Sequence, residues 1–166
     1  YQLPALMLEG ITLVISPLIS LMKDQVMALK ASGVAAAYIN SSLTPGQQAE
    51  AIRRAAAGAY RIIYVAPERL DMPSFLAFAQ KARIPLLAVD EAHCVSQWGQ
   101  DFRPSYLRIA DFVRRLPRRP AVGAFTATAT RRVREDIVKM LDLEEPLCLT
   151  TGYNRPNLHF ASVKPT

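Results

Sequence analysis

Leu86-Leu87-Ala88-Val89 runs without a break into Asp90-Glu91-Ala92-His93, and this junction restricts the fold more than any other stretch. An uninterrupted aliphatic run lacks the in–out alternation of a strand with one wet face, so both of its faces must be covered. That is the condition of a strand inside a parallel sheet. Acids placed at its end emerge at the carboxyl edge, where open α/β sheets bind ligands. The plainer reading is an ordinary strand followed by a solvated acidic turn, and a lone Asp-Glu pair would favour it. The continuation, Cys94-Val95-Ser96-Gln97-Trp98-Gly99-Gln100-Asp101-Phe102-Arg103-Pro104, is too specific for that reading.

Five further runs have the same character: 11–15, 35–39, 61–65, 121–125 and 147–149. Amphipathic stretches separate them. Leu18, Met22, Val26 and Leu29 make one helical stripe, stopped by Gly33. Thr44, Pro45 and Gln47 form a capping box with Pro at the first helical position, and that helix runs to Gly58. Another starts near Thr130 with Val133, Ile137, Met140 and Leu141 inward. Residues 1–8 read as the tail of a helix. Alternation of this kind predicts a doubly wound α/β domain with a mostly parallel sheet and helices on both faces.

The 166 residues suffice for one domain with a sizeable core. No apolar stretch is long enough for a membrane span and no signal peptide opens the chain, so no membrane partner is expected. Cys94 and Cys148 lack metal-ligand spacing, and are expected reduced and partly buried, as in a cytoplasmic protein. The net charge of +6 is uneven: from Arg103 to Arg134 there are nine arginines against one acid, Asp111. Such a segment suits phosphate backbones, yet on charge alone a solvated arginine-rich helix face without a partner is slightly the better account.

Three segments leave predicted strands and enter helices. Ser16 to Gln25, including Lys23, could bind phosphate through backbone N–H groups, or Ser16 could simply cap a helix. Ala66-Pro67-Glu68-Arg69-Leu70 reads alone as a Pro-started helix with a surface ion pair. Thr126, Thr128 and Thr130 could link two ligand sites, and Thr130 caps the next helix in any case. Their shared position at carboxyl strand ends raises all three. Trp98, Phe102 and Arg103, set among Gln97, Gly99, Gln100 and Asp101, suit a loop that stacks bases and tracks a single-strand backbone. Core burial is the competing reading, closer to even for Phe102 than for Trp98.

In this order the motifs resemble the RecQ family of superfamily 2 DNA helicases. The resemblance is carried by Tyr1 to Ala5, Ser16 to Gln25, Tyr64 to Leu70, Asp90 to Gly99, Asp101 to Pro104, Thr126 to Thr130 and Asn154-Arg155-Pro156-Asn157. It implies a first RecA-like domain of an ATP- and Mg²⁺-dependent motor moving 3′ to 5′ on single-stranded DNA and opening forked DNA. Asp90 would bind Mg²⁺ through water, Glu91 would polarise the hydrolytic water, and His93 would link the ATP site to DNA-responsive parts. Ser16, Lys23, Pro67, Arg69, Thr126 and Thr128 would be DNA-contacting and coupling positions. Gln97, Trp98, Phe102 and Arg103 would belong to an aromatic-rich DNA-sensing loop.

Two positions depart from the family pattern: Gln100 stands where His is usual, and Ser105 where Glu is usual. Gln100 hydrogen-bonds but cannot titrate. No Gly-x-x-x-x-Gly-Lys-Ser/Thr occurs in the chain. The family carries that phosphate loop just before Tyr-Gln-Leu-Pro, so the chain is expected to begin after it. Residues 1–152 are then a RecA-like domain lacking its phosphate-loop portion. Residues 153–166 are an exit segment towards a second RecA-like domain, beyond which zinc-binding and winged-helix regions are expected. Such a piece is expected to show negligible ATPase activity by itself. The alternative is a non-catalytic module that binds single-stranded nucleic acid.

Overall fold

A computed structural model describes residues 1–152, 157–159 and 161. The elements are α1 (Gln2–Met7), β1 (Thr12–Ile15), α2 (Ile19–Ala31), β2 (Ala36–Ile39), α3 (Pro45–Ala56) and β3 (Ile62–Val65), then α4 (Pro73–Ala79), β4 (Leu86–Val89), α5 (Ile109–Arg114), β5 (Ala121–Ala124) and α6 (Arg131–Met140). All five strands are parallel, in the order β2-β3-β1-β4-β5. The parallel α/β sheet expected from the apolar runs is thus present. Among the described residues β2 and β5 are the edges, and β5 is paired only with β4.

The continuous apolar runs are explained by cover on both faces. Because strand side chains alternate, Leu13, Ile15, Ile63, Val65, Leu87 and Val89 meet one helical layer, drawn from α3, α4, α5 and α6. There Phe75 stacks on Phe112 with ring centroids 6.0 Å apart. Val14, Ile62, Tyr64 and Ala88 point the other way, against Ala5 of α1 and Met22, Val26 and Leu29 of α2. Each fully buried Leu, Ile or Phe contributes about 1.5–3 kcal/mol, so the face under α3–α6, with more such residues, dominates stability.

Local signals fared well where a mechanism stood behind them. Thr44 Oγ1 accepts from Gln47 N–H while Gln47 Oε1 accepts from Thr44 N–H, closing the expected capping box. Gly33 and Gly58 stop their helices at φ 77° and 76°. Thr130 caps α6 through Val133 N–H. Three expectations need correction. Residues 147–149 form no strand, since Leu147 and Leu149 are 84% and 82% exposed and find no sheet partner. Leu18 leaves the apolar stripe of α2, because it takes the extended N-cap position and faces solvent. Cys148 is exposed, and only Cys94 is buried. Most of the expected exit segment 153–166 lies outside the described residues.

Topology fixes where a ligand crevice opens. From β1 the chain crosses through α2 on one face, whereas from β4 it continues through α5 on the other. Adjacent strands whose connections leave on opposite faces part at their carboxyl ends, and that gap is the usual binding crevice. Here the gap lies between Ser16 and Asp90, whose strands are joined by Asp90 N–H donating to Ile15 O at 2.8 Å.

Candidate functional site

Asp90 caps β4 and is half-buried. Its Oδ1 accepts from Glu91 N–H at 3.1 Å, and Tyr1 Oη lies 3.5 Å from Oδ2. Burial pushes the Asp90 carboxyl above the usual carboxylate range, against the opposing pull of those hydrogen bonds. Its backbone is held too: the Tyr106 hydroxyl donates to Asp90 O at 2.9 Å. Tyr106 is fully buried, and burial raises its phenol far out of reach of neutral pH, so it stays a donor.

Glu91 turns the chain. Its φ of 48° and ψ of 45° are left-handed, a conformation that costs a non-glycine residue about 1 kcal/mol or more. The turn is held because Ala92 N–H donates to Phe125 O at 2.9 Å, tying the acidic turn to the end of β5. It also brings Glu91 back over His93, with Oε2 3.3 Å from Nδ1. Thr126 Oγ1 lies 2.9 Å from the same nitrogen. Nδ1 therefore faces both the Glu91 carboxylate, which only accepts, and the Thr126 hydroxyl, which can accept from a protonated Nδ1 or donate to a bare one. Thr126 Oγ1 in turn accepts from Thr128 N–H at 3.2 Å. Asp90, Glu91, His93, Thr126 and Thr128 are therefore one connected group.

Beside this group lies an open cleft of about 290 Å³, lined by Pro17, Glu91, His93, Gln100, Asp101 and Thr128 among others. Gln100 is exposed on its rim, so the departure from His places a neutral amide there. Arg103 closes one side. It forks onto Asp101 Oδ2 through Nε and Nη2 at 2.9 and 2.8 Å, and donates from Nη1 to Pro17 O at 3.2 Å. Arg103 thus fastens the loop after β4 to the turn after β1.

The other expected positions divide by depth. Ser16 and Pro67 are buried, and Ser16 Oγ has no hydrogen-bond partner among the described residues. Arg69 is half-buried with its Nε unpaired, whereas Lys23 and Gln97 are exposed. Phe102 is half-buried, and Trp98 is 61% exposed. Of the two aromatic rings, Trp98 is the one open to a ligand.

The arginine-rich segment is largely neutralised. Six of its nine arginines meet carboxylates: Arg103, Arg108, Arg114, Arg115, Arg119 and Arg131. Asp71 bridges Arg108 and Arg115, and Asp142 reaches Arg114. The pairs with Asp71, Asp142 and Glu144 were not legible in the sequence, because those acids come from distant elements. Sequence reasoning also missed Ser96, which is buried. Ser96 Oγ donates to Asp136 Oδ2 at 2.5 Å and accepts from Trp98 N–H at 3.1 Å. Nothing in the sequence marks Asp136 or Tyr106, which act through positions fixed only by folding.

As for ligands, one half-buried carboxylate at a strand end fits a Mg²⁺ ion held mainly by water and phosphate oxygens. Among the described residues no cluster of three or more His, Cys, Asp or Glu could hold a metal without such help. The chain therefore fits a shared metal site, one whose remaining ligands come with the nucleotide.

Comparison with known proteins agrees with this geometry. The family model for DEAD/DEAH box helicases matches residues 1–137. The chain is 51% identical over 164 residues to the ATP-dependent DNA helicase RecQ of Bacillus subtilis, covering 99% of this chain and 28% of that protein. It is 43% identical over 164 residues to the RecQ of Pasteurella multocida, covering 99% and 26%. The chain thus spans little more than a quarter of these curated relatives. Among solved structures, a hypothetical ATP-dependent RNA helicase from Sulfolobus tokodaii superposes with a TM-score of 0.64 at 19% identity, over 87% of this chain and 42% of that one. The Hef helicase domain of Pyrococcus furiosus gives 0.59 at 17%, over 82% and 28%. These two likenesses speak for the fold alone. By its motifs, its sheet and its relatives, the chain belongs to the DEAD/DEAH box helicases, in their RecQ group.

Proposed function

We propose that these residues are the DNA-responsive, carboxylate-bearing part of an ATP-driven 3′–5′ DNA helicase motor. The observation that carries this is the contact between His93 Nδ1 and Thr126 Oγ1, at 2.9 Å, because it joins the acidic turn to the threonine turn in one unit. Bound ATP and Mg²⁺ would supply the phosphoryl chemistry. Asp90 would hold the ion, Glu91 would orient the attacking water, and His93 would pass the state of that site to Thr126 and Thr128. Ser16, Lys23, Pro67 and Arg69 lie at or beyond the carboxyl ends of β1 and β3, on the side expected to face single-stranded and forked DNA. The loop bearing Gln97, Trp98, Phe102 and Arg103 senses the strand.

The same reading assigns the rest of the motor to other parts of the helicase in cis. These are a phosphate loop, a second RecA-like domain with an arginine finger, and zinc-binding and winged-helix regions. A phosphate loop supplies most direct ligands to the β and γ phosphates, so the 166 residues alone hydrolyse ATP negligibly. The assay is ATP turnover by this chain and by a longer helicase that includes it, with and without an oligonucleotide. DNA-stimulated turnover in the longer protein, abolished by Asp90→Ala, is expected. Turnover by the 166-residue chain that Asp90→Ala abolishes would refute the assignment of the missing half elsewhere.

A further inference from the structure

Arg132 lies on Trp98, its guanidinium carbon 3.6 Å from the ring centroid. Most arginines of this segment meet a carboxylate, whereas Arg132 has no ion pair among the described residues. Trp98 remains 61% exposed even with that contact, so its other face is open. The Trp98 backbone is also held, because Ser96 Oγ accepts from the Trp98 backbone N–H and donates to Asp136. Arg132 and Asp136 stand one turn apart on α6, so one helix face grips the loop at two points. Gly99 makes the tight return possible, since a Cβ there would run into the carbonyl oxygens of His93 and Ser96.

The geometry points to Arg132 as a nucleic-acid-binding residue paired with Trp98: it backs the ring on one face while a base of a single strand stacks on the other. A guanidinium stacked on an aromatic ring keeps its edge N–H donors free. Those donors then meet a phosphate flanking the stacked base, so that one residue supplies both the platform and the charge. This rests on the single-strand reading of the Trp98 loop given above.

Trp98 is the chain's one tryptophan, so its emission reports on this site directly. The test titrates a fluorescein-labelled oligothymidylate of about 15 nucleotides, a length chosen to span one typical single-strand site. Anisotropy is read over a range of salt, with Trp98 quenching read in parallel on an unlabelled strand. Arg132→Ala is expected to weaken binding about two- to fivefold. It should also lower the slope of log K against log salt by about 0.7, the loss of one single-strand phosphate contact. Arg132→Lys keeps the slope but recovers less of the quenching. Arg131→Ala, which removes an arginine already paired with Glu135, leaves the quenching intact. Binding by the unsubstituted chain with slope and quenching unchanged in Arg132→Ala overturns this inference alone. Absence of binding by the unsubstituted chain overturns the single-strand reading and the inference together.

Discussion

His93 Nδ1 and Thr126 Oγ1 stand 2.9 Å apart, 33 residues from each other in sequence, and this contact makes the ends of β4 and β5 one structural unit. His93 is largely buried, so Nδ1 has few alternative partners. Thr126→Val removes the hydroxyl while keeping the shape, and is expected to cost about 1 kcal/mol by urea unfolding. In a longer helicase containing these residues, the same change should reduce DNA stimulation of ATPase more than basal turnover. Equal loss of both would mean that the pair supports the fold without linking the sites.

Asp90→Asn separates stability from function. Burial raises the Asp90 carboxyl, so the folded chain disfavours its charged form. The sign follows from linkage: a raised acid binds its proton more tightly folded than unfolded. Its contribution is fully present below the ordinary carboxylate range and lost as pH rises through the folded value. At neutral pH the ionised carboxylate is a liability, and Asn still accepts from Glu91 N–H. In Mg²⁺-free buffer the substitution should raise Tm by about 1–3 °C while removing the carboxylate proposed to hold Mg²⁺. A fall in Tm would show that solvent or Tyr1 already compensates the charge.

Ser96→Ala tests the anchoring of the loop. The hydroxyl is buried and serves Asp136 and Trp98 N–H at once, so its loss leaves two polar groups without their partner. A cost of about 1–3 kcal/mol is expected, with a shift in Trp98 emission as the loop loosens. Unchanged emission with lowered stability would place the effect in α6 rather than in the loop.

The two cysteines should differ sharply. Cys148 is exposed, whereas burial pushes the Cys94 thiol up to about 11. A thiol reagent at pH 8 is expected to label one site rapidly and the second only on unfolding. Stability should fall between about pH 9, the ordinary value, and about pH 11, because the unfolded chain ionises Cys94 first. Rapid labelling of both thiols in the folded chain would contradict the burial of Cys94.

What the sequence made legible was local or periodic. Four aliphatic residues followed by acids gave β4 and its turn, and Thr44-Pro45 with Gln47 gave the start of α3. The run at 147–149 misled, because an apolar triplet states a preference for burial but not whether a partner strand exists. The partners of the arginines were legible only in part. Asp71 and Asp142 neutralise them from outside the segment, and long-range pairing leaves no periodic trace. Arg132 was hidden among its neighbours for the same reason.

β5 carries one more consequence. Ala121–Ala124 bonds to β4 along one side and presents the other side's amide and carbonyl groups unpaired by any described strand. No charged side chain or proline interrupts that short edge, the usual guards against strand-to-strand association. Its four residues are themselves a guard, since so short a strand gives a neighbouring molecule few groups to pair with.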